Sequence, residues 1–325
     1  MTHHRPAAPE AVPPVRRVPP RQAGKTQGAV AVEAVRNVSP GASAGTRDMG
    51  AGRRDMGAGT REPAGAGTPA HITVVPPPPE PSRWIELAGA DNVRDLGGLP
   101  VDGGGTTRRG VLFRAATLQG VTAEDVALLV DGLRLRTVVD LRGPGEAERE
   151  GHGLLTATAV HRANLPVRLP DPDLSGVVPD EPENEMHDFY LGLLRASGDT
   201  LTAAARLVAD PGRHSLVFHC AVGKDRTGVC AAVLLDAVGV PAEAIATDYA
   251  LTAERVARVR DRLLTISSYR HIPPLGHAYM ASTARSMHDF LARLSADYGG
   301  GAGWLVRNGF TDAELTRLRD TLVER

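Results

Sequence analysis

From residue 83 onward, short apolar runs alternate with longer stretches whose apolar residues recur every three or four positions. The runs at 110–115 (GVLFRA), 136–142 (RTVVDLR) and 214–219 (HSLVFH) have the length and apolar content of buried strands. Residues 187–208 are instead predicted to form helices. Strands that alternate with helices predict an α/β fold with a mostly parallel central sheet flanked by helices.

Weaker strand patterns occupy 83–87 (RWIEL) and 160–167 (VHRANLPV). Thr122 and Thr311 are each followed, three positions on, by an acidic residue, and each precedes an apolar run of helical period. This spacing is typical of a capping box, so a helix is predicted to begin at each threonine. The glycines within 143–145 predict a turn at the end of the 136–142 strand.

The first 82 residues have a different composition from the rest. They are rich in Pro, Gly, Ala and Arg, contain no Phe, Trp or Tyr, and end in the proline run VVPPPPEP at 74–81. Such a segment has too little apolar surface to offset the entropy of ordering its chain. We therefore expect a disordered arm over 1–82 and a single folded domain over 83–325.

Charge and cysteine content exclude several classes of protein. The chain has a net charge of −1, and of its 37 basic residues only Lys25 and Lys224 are lysines. A mildly acidic folded part argues against nucleic-acid binding. The sequence has no apolar run long enough to span a bilayer and no apolar core of a secretory signal near its start. We expect a cytoplasmic protein without stable membrane association, although export without a cleavable signal stays open, as does the oligomeric state.

The stretch HCAVGKDRTG, 219–228, lies between the predicted strand 214–219 and an apolar helix predicted over 227–238. A strand, a glycine-containing loop and a helix start form a cup of backbone N–H groups that suits a tetrahedral anion. Gly223 and Gly228 permit close backbone approach. The planar guanidinium of Arg226 can bind two phosphate oxygens at once. The stretch therefore predicts a phosphate-binding loop.

The same surroundings make Cys220 a candidate nucleophile. Helix dipoles, N–H groups and nearby cations favour the thiolate, which is the reactive form of cysteine. A thiolate at the bottom of an anion cup can attack phosphorus and form a phosphocysteine intermediate. Cys230, on the apolar helix, is interpreted as a core residue.

The stretch 219–228 resembles the signature loop of cysteine-dependent tyrosine and phosphoinositide phosphatases, in particular a bacterial protein-tyrosine phosphatase family. Further resemblances to that family lie at 92–100 (NVRDLGGLP), 110–118 (GVLFRAATL), 136–146 (RTVVDLRGPGE) and 298–322, where the glycine run 299–301 is looser than usual. The resemblance covers about residues 84–325. It implies a tyrosine-phosphatase-like domain that dephosphorylates phosphotyrosine, with phosphoserine, phosphothreonine or phosphoinositides as further substrates.

Roles follow from the resemblance at matching positions. Cys220 corresponds to the nucleophile, Arg226 to the phosphate clamp, and Thr227 to the hydroxyl that helps sulfur to leave. His219 is expected to support the loop. Backbone N–H groups for substrate are expected from Ala221, Val222, Gly223 and Gly228. Neither a cofactor nor a metal is expected, and the partner is a phosphorylated protein or another phosphoester.

The general acid has several candidates. The sequence lacks the Trp-Pro-Asp tripeptide that introduces this aspartate in related enzymes. By resemblance to enzymes with Lys-Asp in the loop, Asp225 is the first candidate. Asp171 and Asp173 follow a predicted strand and are alternatives. Asp140, which ends the strand 136–142, is a third, although a hydrogen bond that anchors the loop fits it better.

Lys224 is expected to line the site. Its compact ammonium adds positive charge beside Arg226 without competing for the bidentate geometry, and at the rim it could reach a second phosphate. Arg94, Asp95 and Arg114 are interpreted as structural ion-pair residues that order the site. Three functions follow: a protein-tyrosine phosphatase, a phosphoinositide or small-phosphoester phosphatase, and a phosphate-binding module without turnover, which the intact Cys, Asp and Arg oppose.

Overall fold

The computed structural model describes residues 82–170 and 186–325 of the 325-residue chain. Its strands are β1 (Arg94–Asp95), β2 (Thr106–Thr107), β3 (Leu112–Ala115), β4 (Thr137–Asp140), β5 (His161–Asn164), β6 (Leu216–His219) and β7 (Val323–Glu324). Its α-helices are α1 (Ala123–Ala127), α2 (Pro144–Glu150), α3 (Met186–Ala196), α4 (Gly198–Val208), α5 (Asp225–Ala237), α6 (Ala242–Ala250), α7 (Val256–Leu264), α8 (Ala284–Tyr298), α9 (Gly300–Arg307) and α10 (Asp312–Leu322). Residues 1–81 of the predicted arm lie outside the described residues.

The central sheet has the strand order β1-β3-β6-β4-β5. The β3–β6, β6–β4 and β4–β5 pairs are parallel, and only β1, at one edge, is antiparallel to its neighbour. In this register Ala115, His219 and Asp140 end adjacent strands side by side. A small second sheet pairs β2 with β7. The predicted mostly parallel α/β fold is confirmed, and the carboxyl ends of β3, β6 and β4 meet at one edge.

Helices cover both faces of the sheet because alternate strand residues point in opposite directions. Val138 and Val217 face a cluster that includes Leu129, next to α1. Val139 and Phe218, one residue further along each strand, face the larger cluster that α3–α6 and α8–α10 complete. Buried α5 therefore follows β6 directly into the middle of the core.

Several predicted elements are confirmed. Strands lie within 110–115, 136–142, 160–167 and 214–219, and helices α3 and α4 fill 187–208. The two capping boxes are present: the Thr122 hydroxyl accepts from Asp125 N, the Thr311 hydroxyl accepts from Glu314 N, and each acidic side chain accepts from its threonine's N–H.

Two local predictions differ from the structure. The predicted strand 83–87 is wrong: only Trp84 forms an isolated bridge, to Arg94. The Ile85 N–H still donates to the Val93 carbonyl at 3.0 Å, but the N–H groups of Ala88 and Gly89 donate to the Asp125 carboxylate at 2.8 and 2.7 Å, which draws the chain away from the sheet edge. The turn predicted at 143–145 is the start of α2, where Pro144 takes a first-turn position that suits its missing N–H.

The glycine run at 299–301 has a packing role. Gly299 ends α8 in the left-handed conformation, with φ of 76°. A Cβ at Gly301 would lie 2.3 Å from the Val233 carbonyl oxygen of α5, so glycine permits α9 to lie directly against α5. Among the helices in 82–170 and 186–325, none combines the length and apolar character that a membrane crossing requires.

Candidate active site

The predicted phosphate-binding loop joins β6, which ends at His219, to α5, which begins at Asp225. Cys220 is 2 % exposed at the strand end. Its Sγ accepts a hydrogen bond from the Gly223 N–H at 3.3 Å and another from the Thr227 hydroxyl at 3.2 Å. Both donors belong to the loop and the first turn of α5, so the local strand–loop–helix sequence is enough to direct them at the sulfur.

Arg226 lies in the first turn of α5 and is held from outside the loop. Its Nη1 and Nη2 donate to the two Glu146 carboxylate oxygens at 2.8 and 3.3 Å, and the Tyr269 hydroxyl donates to the same carboxylate at 2.8 Å. Burial opposes the charge, but the neighbouring Cys220 and Glu146 raise the pKa of the Arg226 guanidinium above its ordinary value. Arg226 therefore stays charged beside the sulfur.

Sequence reasoning missed Glu146 and Tyr269. Glu146 was visible as the last residue of RTVVDLRGPGE, three positions after the Gly143 that precedes α2. Tyr269 belongs to a short 3-10 helix, Ser267–Tyr269, with no local pattern that indicates a site. The contact of either residue with Arg226 or its partner is recognisable only from the fold.

Lys224 differs from expectation because its side chain is fully buried instead of lying at the rim. Its Nζ lies 2.7 Å from Asp225 Oδ1, donates to the Ala281 carbonyl at 3.2 Å, and sits 5.0 Å from the centre of the Tyr279 ring. Burial works against the charge, yet Asp225 raises the pKa of the Lys224 ammonium above its ordinary value. A compact ammonium meets a carboxylate, a carbonyl and an aromatic face here, which accounts for a lysine at this position.

Asp225 begins α5 and is 8 % exposed. Besides Lys224, its Oδ1 accepts from the Tyr190 hydroxyl at 2.8 Å, and the Tyr190 and Tyr249 hydroxyls are 2.5 Å apart. Burial raises the pKa of both tyrosines, so they are neutral donors at neutral pH. The Asp225 side chain is therefore fixed from one side by α3 and α6.

Asp140 is tied to Arg142 and is unsuited to donate a proton. Arg142 Nε and Nη2 approach its two oxygens at 2.9 and 2.7 Å, and Asp140 is buried. Burial opposes ionisation, but the neighbouring His219 and the Arg142 fork together lower the pKa of Asp140 to about 2. His219, whose pKa burial lowers to about 4, has Nδ1 3.2 Å from the Cys220 carbonyl oxygen and Nε2 3.9 Å from Asp140. These contacts agree with the predicted role of His219, which is to support the phosphate-binding loop.

Within 82–170 and 186–325, one cluster has side chains of the types that bind metal ions, but it does not suit a metal ion. Ligand atoms of Asp140, His152 and His219 lie within 4.8 Å of one another. The Arg142 guanidinium, however, already contacts both Asp140 oxygens. A metal cation there would be repelled by that guanidinium, so these three side chains do not suit a metal ion, and Asp140 pairs with Arg142 instead.

The Gly228 N–H, predicted to bind substrate, instead donates to the Lys224 carbonyl at 2.7 Å in the first turn of α5, so that prediction is wrong. Asp95 accepts from the Gly97 and Gly110 N–H groups, each at 2.8 Å, and so orders the turn after β1. Cys230 is buried in α5, and burial raises the pKa of its thiol to about 12. Asp171 and Asp173, the alternative acids, lie outside the described residues.

An apolar wall stands beside the loop. Val222, Ile266, Tyr269 and Ile272 are partly buried and pack against a buried cluster that includes Ala221. The wall brings α7 and the segment after it next to the phosphate-binding loop.

Residues 85–324 match the sequence model of a protein family that is described as the tyrosine phosphatase family. The chain is 32 % identical over 178 residues to a Cupriavidus necator protein that is named, provisionally, as a tyrosine-protein phosphatase; the match covers 53 % of this chain and 64 % of that protein. It thus spans less than two thirds of that relative.

Two further relatives differ in coverage. The triple specificity protein phosphatase PtpB of Mycobacterium tuberculosis is 27 % identical over 73 % of this chain and 98 % of its own length. A tyrosine-protein phosphatase of Nostoc commune is 28 % identical over 45 % of this chain and 52 % of its own. Among solved structures, the core catalytic domain of the PP-IP phosphatase SIW14 from S. cerevisiae aligns with a TM-score of 0.29 and 17 % identity, over 59 % of this chain and 92 % of that domain.

Proposed function

The chain belongs to the tyrosine phosphatase family, and from this premise we propose that it hydrolyses phosphotyrosine through a covalent phosphocysteine at Cys220. The observation that carries the proposal is the pair of donors on Cys220 Sγ, from Gly223 and Thr227 at 3.3 and 3.2 Å. A thiolate accepts both hydrogen bonds with its full negative charge, whereas a thiol is only a weak acceptor. The contacts therefore favour the nucleophilic form.

In the first step, an electron pair of the Cys220 thiolate forms a bond to phosphorus. The bond from phosphorus to the phenolic oxygen breaks, and that oxygen takes a proton from a general acid. Arg226 binds the non-bridging phosphoryl oxygens. Because Glu146 holds the Nη1 and Nη2 side of Arg226, the guanidinium reaches the substrate already oriented.

In the second step, water attacks the phosphorus of the phosphocysteine and gives up a proton to the same acid, now a carboxylate. The phosphorus–sulfur bond breaks, sulfur leaves as a thiolate, and inorganic phosphate is released. The Thr227 hydroxyl and the Gly223 N–H stabilise the departing sulfur, since they already donate to it.

We assign the general acid to Asp225. Its contacts with Lys224 and Tyr190 both involve Oδ1, so Oδ2 is the oxygen that would carry the proton when the negative charge of the bound phosphoryl group lies beside the carboxyl and disfavours its ionised form. Asp140 is a poorer choice because its pKa of about 2 keeps it ionised at neutral pH.

An aromatic leaving group suits the surroundings of the loop. The partly buried Val222, Tyr269 and Ile272 offer an apolar surface against which a phenyl ring can pack. Lys224, buried against Tyr279, gives less support for a second phosphate. The mycobacterial relative is named for triple specificity, so phosphoserine, phosphothreonine and phosphoinositides remain substrates to be compared with phosphotyrosine.

The test compares Cys220→Ser with the matched control Cys230→Ala, which removes the other thiol from the buried core. We expect Cys220→Ser to lose turnover of a phosphotyrosine peptide while it retains peptide binding, and Cys230→Ala to retain both. Wild-type turnover by Cys220→Ser would contradict covalent catalysis. The same assay with phosphoserine peptide and phosphoinositide vesicles ranks the substrates.

A further inference from the structure

The outer side of the phosphate-binding loop is held by side chains that the catalytic scheme does not use. Asn92 Nδ2 lies 3.2 Å from the carbonyl oxygens of both Val222 and Gly223. Arg114 Nη2 donates to the Gly223 carbonyl at 2.8 Å. Asn92 precedes β1 and Arg114 belongs to β3, so both reach the loop from the neighbouring side of the sheet.

Anchoring these carbonyls fixes where the loop N–H groups point. In a planar trans peptide, the C=O and N–H bonds point in opposite directions. A Val222 carbonyl held outward therefore turns the Gly223 N–H inward, and the 3.3 Å contact of that N–H with Cys220 Sγ agrees. By the same geometry, the outward Gly223 carbonyl turns the Lys224 N–H toward the side where the anion binds.

Asp248, in α6, fixes the two anchoring side chains. Its carboxylate lies 2.9 Å from Arg114 Nη1, 3.1 Å from Arg94 Nε and 2.7 Å from Arg83 Nη1, and Arg94 Nη1 also donates to Asn92 Oδ1. Asp248 is 1 % exposed. Burial opposes its ionisation, but Arg94 and the other arginines hold the pKa of Asp248 well below its usual range. One carboxylate thus organises a cationic cluster behind the loop.

The backbone at Asn92 and at Gly223 has an unusual conformation. Asn92 has a positive φ of 56°, which asparagine tolerates better than most residues. Gly223 has a φ of 74°, and a Cβ there would lie 2.5 Å from the Ala115 carbonyl oxygen. The loop backbone is therefore pressed against β3 at the point where Arg114 and Asn92 hold it.

We propose that Asn92, Arg114 and Asp248 are positioning residues that orient the Val222–Gly223 and Gly223–Lys224 peptides, so that their N–H groups face the sulfur and the bound phosphoryl group. The inference rests on the proposed function and deepens it. Positive charge behind the loop adds to the attraction for a dianion, since the two buried guanidinium groups of Arg94 and Arg114 both pair with the Asp248 carboxylate.

The test uses Asn92→Gly, which tolerates the positive φ, and Arg114→Lys, which keeps the charge but cannot contact Asp248 and the Gly223 carbonyl together. Arg83→Lys is the matched control, because Arg83 pairs with Asp248 and otherwise donates to the Asp95 carbonyl. We expect Asn92→Gly and Arg114→Lys to weaken inhibition by inorganic phosphate and to lower kcat/KM by roughly 10-fold to 100-fold, at or below the loss of one oxyanion donor. Arg83→Lys should change both by much less.

A purely structural role predicts a different result. The variants would then have a lower unfolding midpoint, with an unchanged phosphate inhibition constant in the folded fraction, and that result would overturn the inference. If Cys220→Ser retained turnover, the proposed function itself would fail, whatever the positioning variants did.

A measurement on the wild-type chain covers the case in which a variant does not fold. Amide NMR during titration with inorganic phosphate should show the Gly223 and Lys224 N–H resonances among the largest downfield shifts. Unmoved resonances for these two amides at saturating phosphate would contradict the proposed orientation.

Discussion

Replacing Glu146 by glutamine tests whether the phosphate clamp depends on a carboxylate outside the loop. Glu146 receives a two-pronged contact from Arg226, at 2.8 and 3.3 Å, and a hydrogen bond from Tyr269 at 2.8 Å. Glutamine has nearly the same shape but offers one acceptor oxygen and no charge. Arg226 then loses one prong of its support and gains freedom to leave the orientation that binds phosphate.

The structure sets the size of the effect. A hydrogen bond to a charged group contributes about 1.5–3 kcal/mol. Both side chains are 20 % exposed, and glutamine keeps one acceptor, so the effect should lie around the lower end of that range or slightly below it. We expect a loss of about 1–2 kcal/mol in transition-state binding, which corresponds to a fall in kcat/KM of roughly 5-fold to 30-fold.

The assay measures kcat/KM on a phosphotyrosine peptide together with the inhibition constant of inorganic phosphate. Both should weaken, because Arg226 binds the phosphoryl oxygens in the ground state and in the transition state. Asp199→Asn is the matched control: it weakens a comparable fork, from Arg168 at 2.6 and 2.8 Å, on an exposed surface. That variant should keep wild-type kinetics.

If folded Glu146→Gln kept or raised kcat/KM, Arg226 would not depend on this carboxylate for its orientation. Such a result would mean that Arg226 is oriented by the loop alone, or that Glu146 competes with substrate for the guanidinium. A fall in kcat/KM matched by Asp199→Asn would point instead to a general loss of charge.

Three further predictions concern other parts of the chain. Asp225→Asn should slow hydrolysis of aryl phosphates with poor leaving groups far more than of those with good ones; equal losses would remove Asp225 as the acid. Asp140→Asn should lower the free energy of unfolding at neutral pH by about 3 kcal/mol, because Arg142 is left buried without its counter-charge. Since the folded-state pKa of Asp140 is depressed to about 2, the ionised carboxylate stabilises the folded state above the ordinary pKa of 3.8, and this stabilisation is lost as pH falls toward 2. The free energy of unfolding, measured with urea across that pH range, should therefore depend less on pH in Asp140→Asn than in the wild type. Deletion of 1–82 should leave kcat/KM and the unfolding midpoint unchanged, and a loss of either would give the arm a role in the enzyme.

The parts of the site that could be predicted are those built from neighbouring residues. Cys220, Gly223 and Thr227 lie within one strand–loop–helix segment, so a local pattern fixes both their identity and their contacts. The capping boxes at Thr122 and Thr311 were predictable for the same reason, because each closes within three residues.

The parts that could not be predicted depend on partners that are distant in sequence. Arg226 and Glu146 are 80 positions apart, and Arg114 and Asp248 are 134 apart. Many arginines and carboxylates in the chain could form such pairs, and only the sheet order brings these together. Lys224 illustrates the same limit. Its position close to Arg226 in the sequence predicted a side chain at the rim of the site, whereas Tyr279 and Ala281, from a later segment, enclose it.

The central claim is that the Cys220 sulfur attacks phosphorus. Rapid acid quench of the full-length wild-type protein with a phosphotyrosine peptide, followed by mass spectrometry of the digest, tests it most directly. The account predicts one added phosphoryl group on the peptide that contains Cys220, absent in Cys220→Ser and present in Cys230→Ala. Burst release of tyrosine product without any phosphorylated cysteine, or a phosphoryl group on another residue, would contradict it.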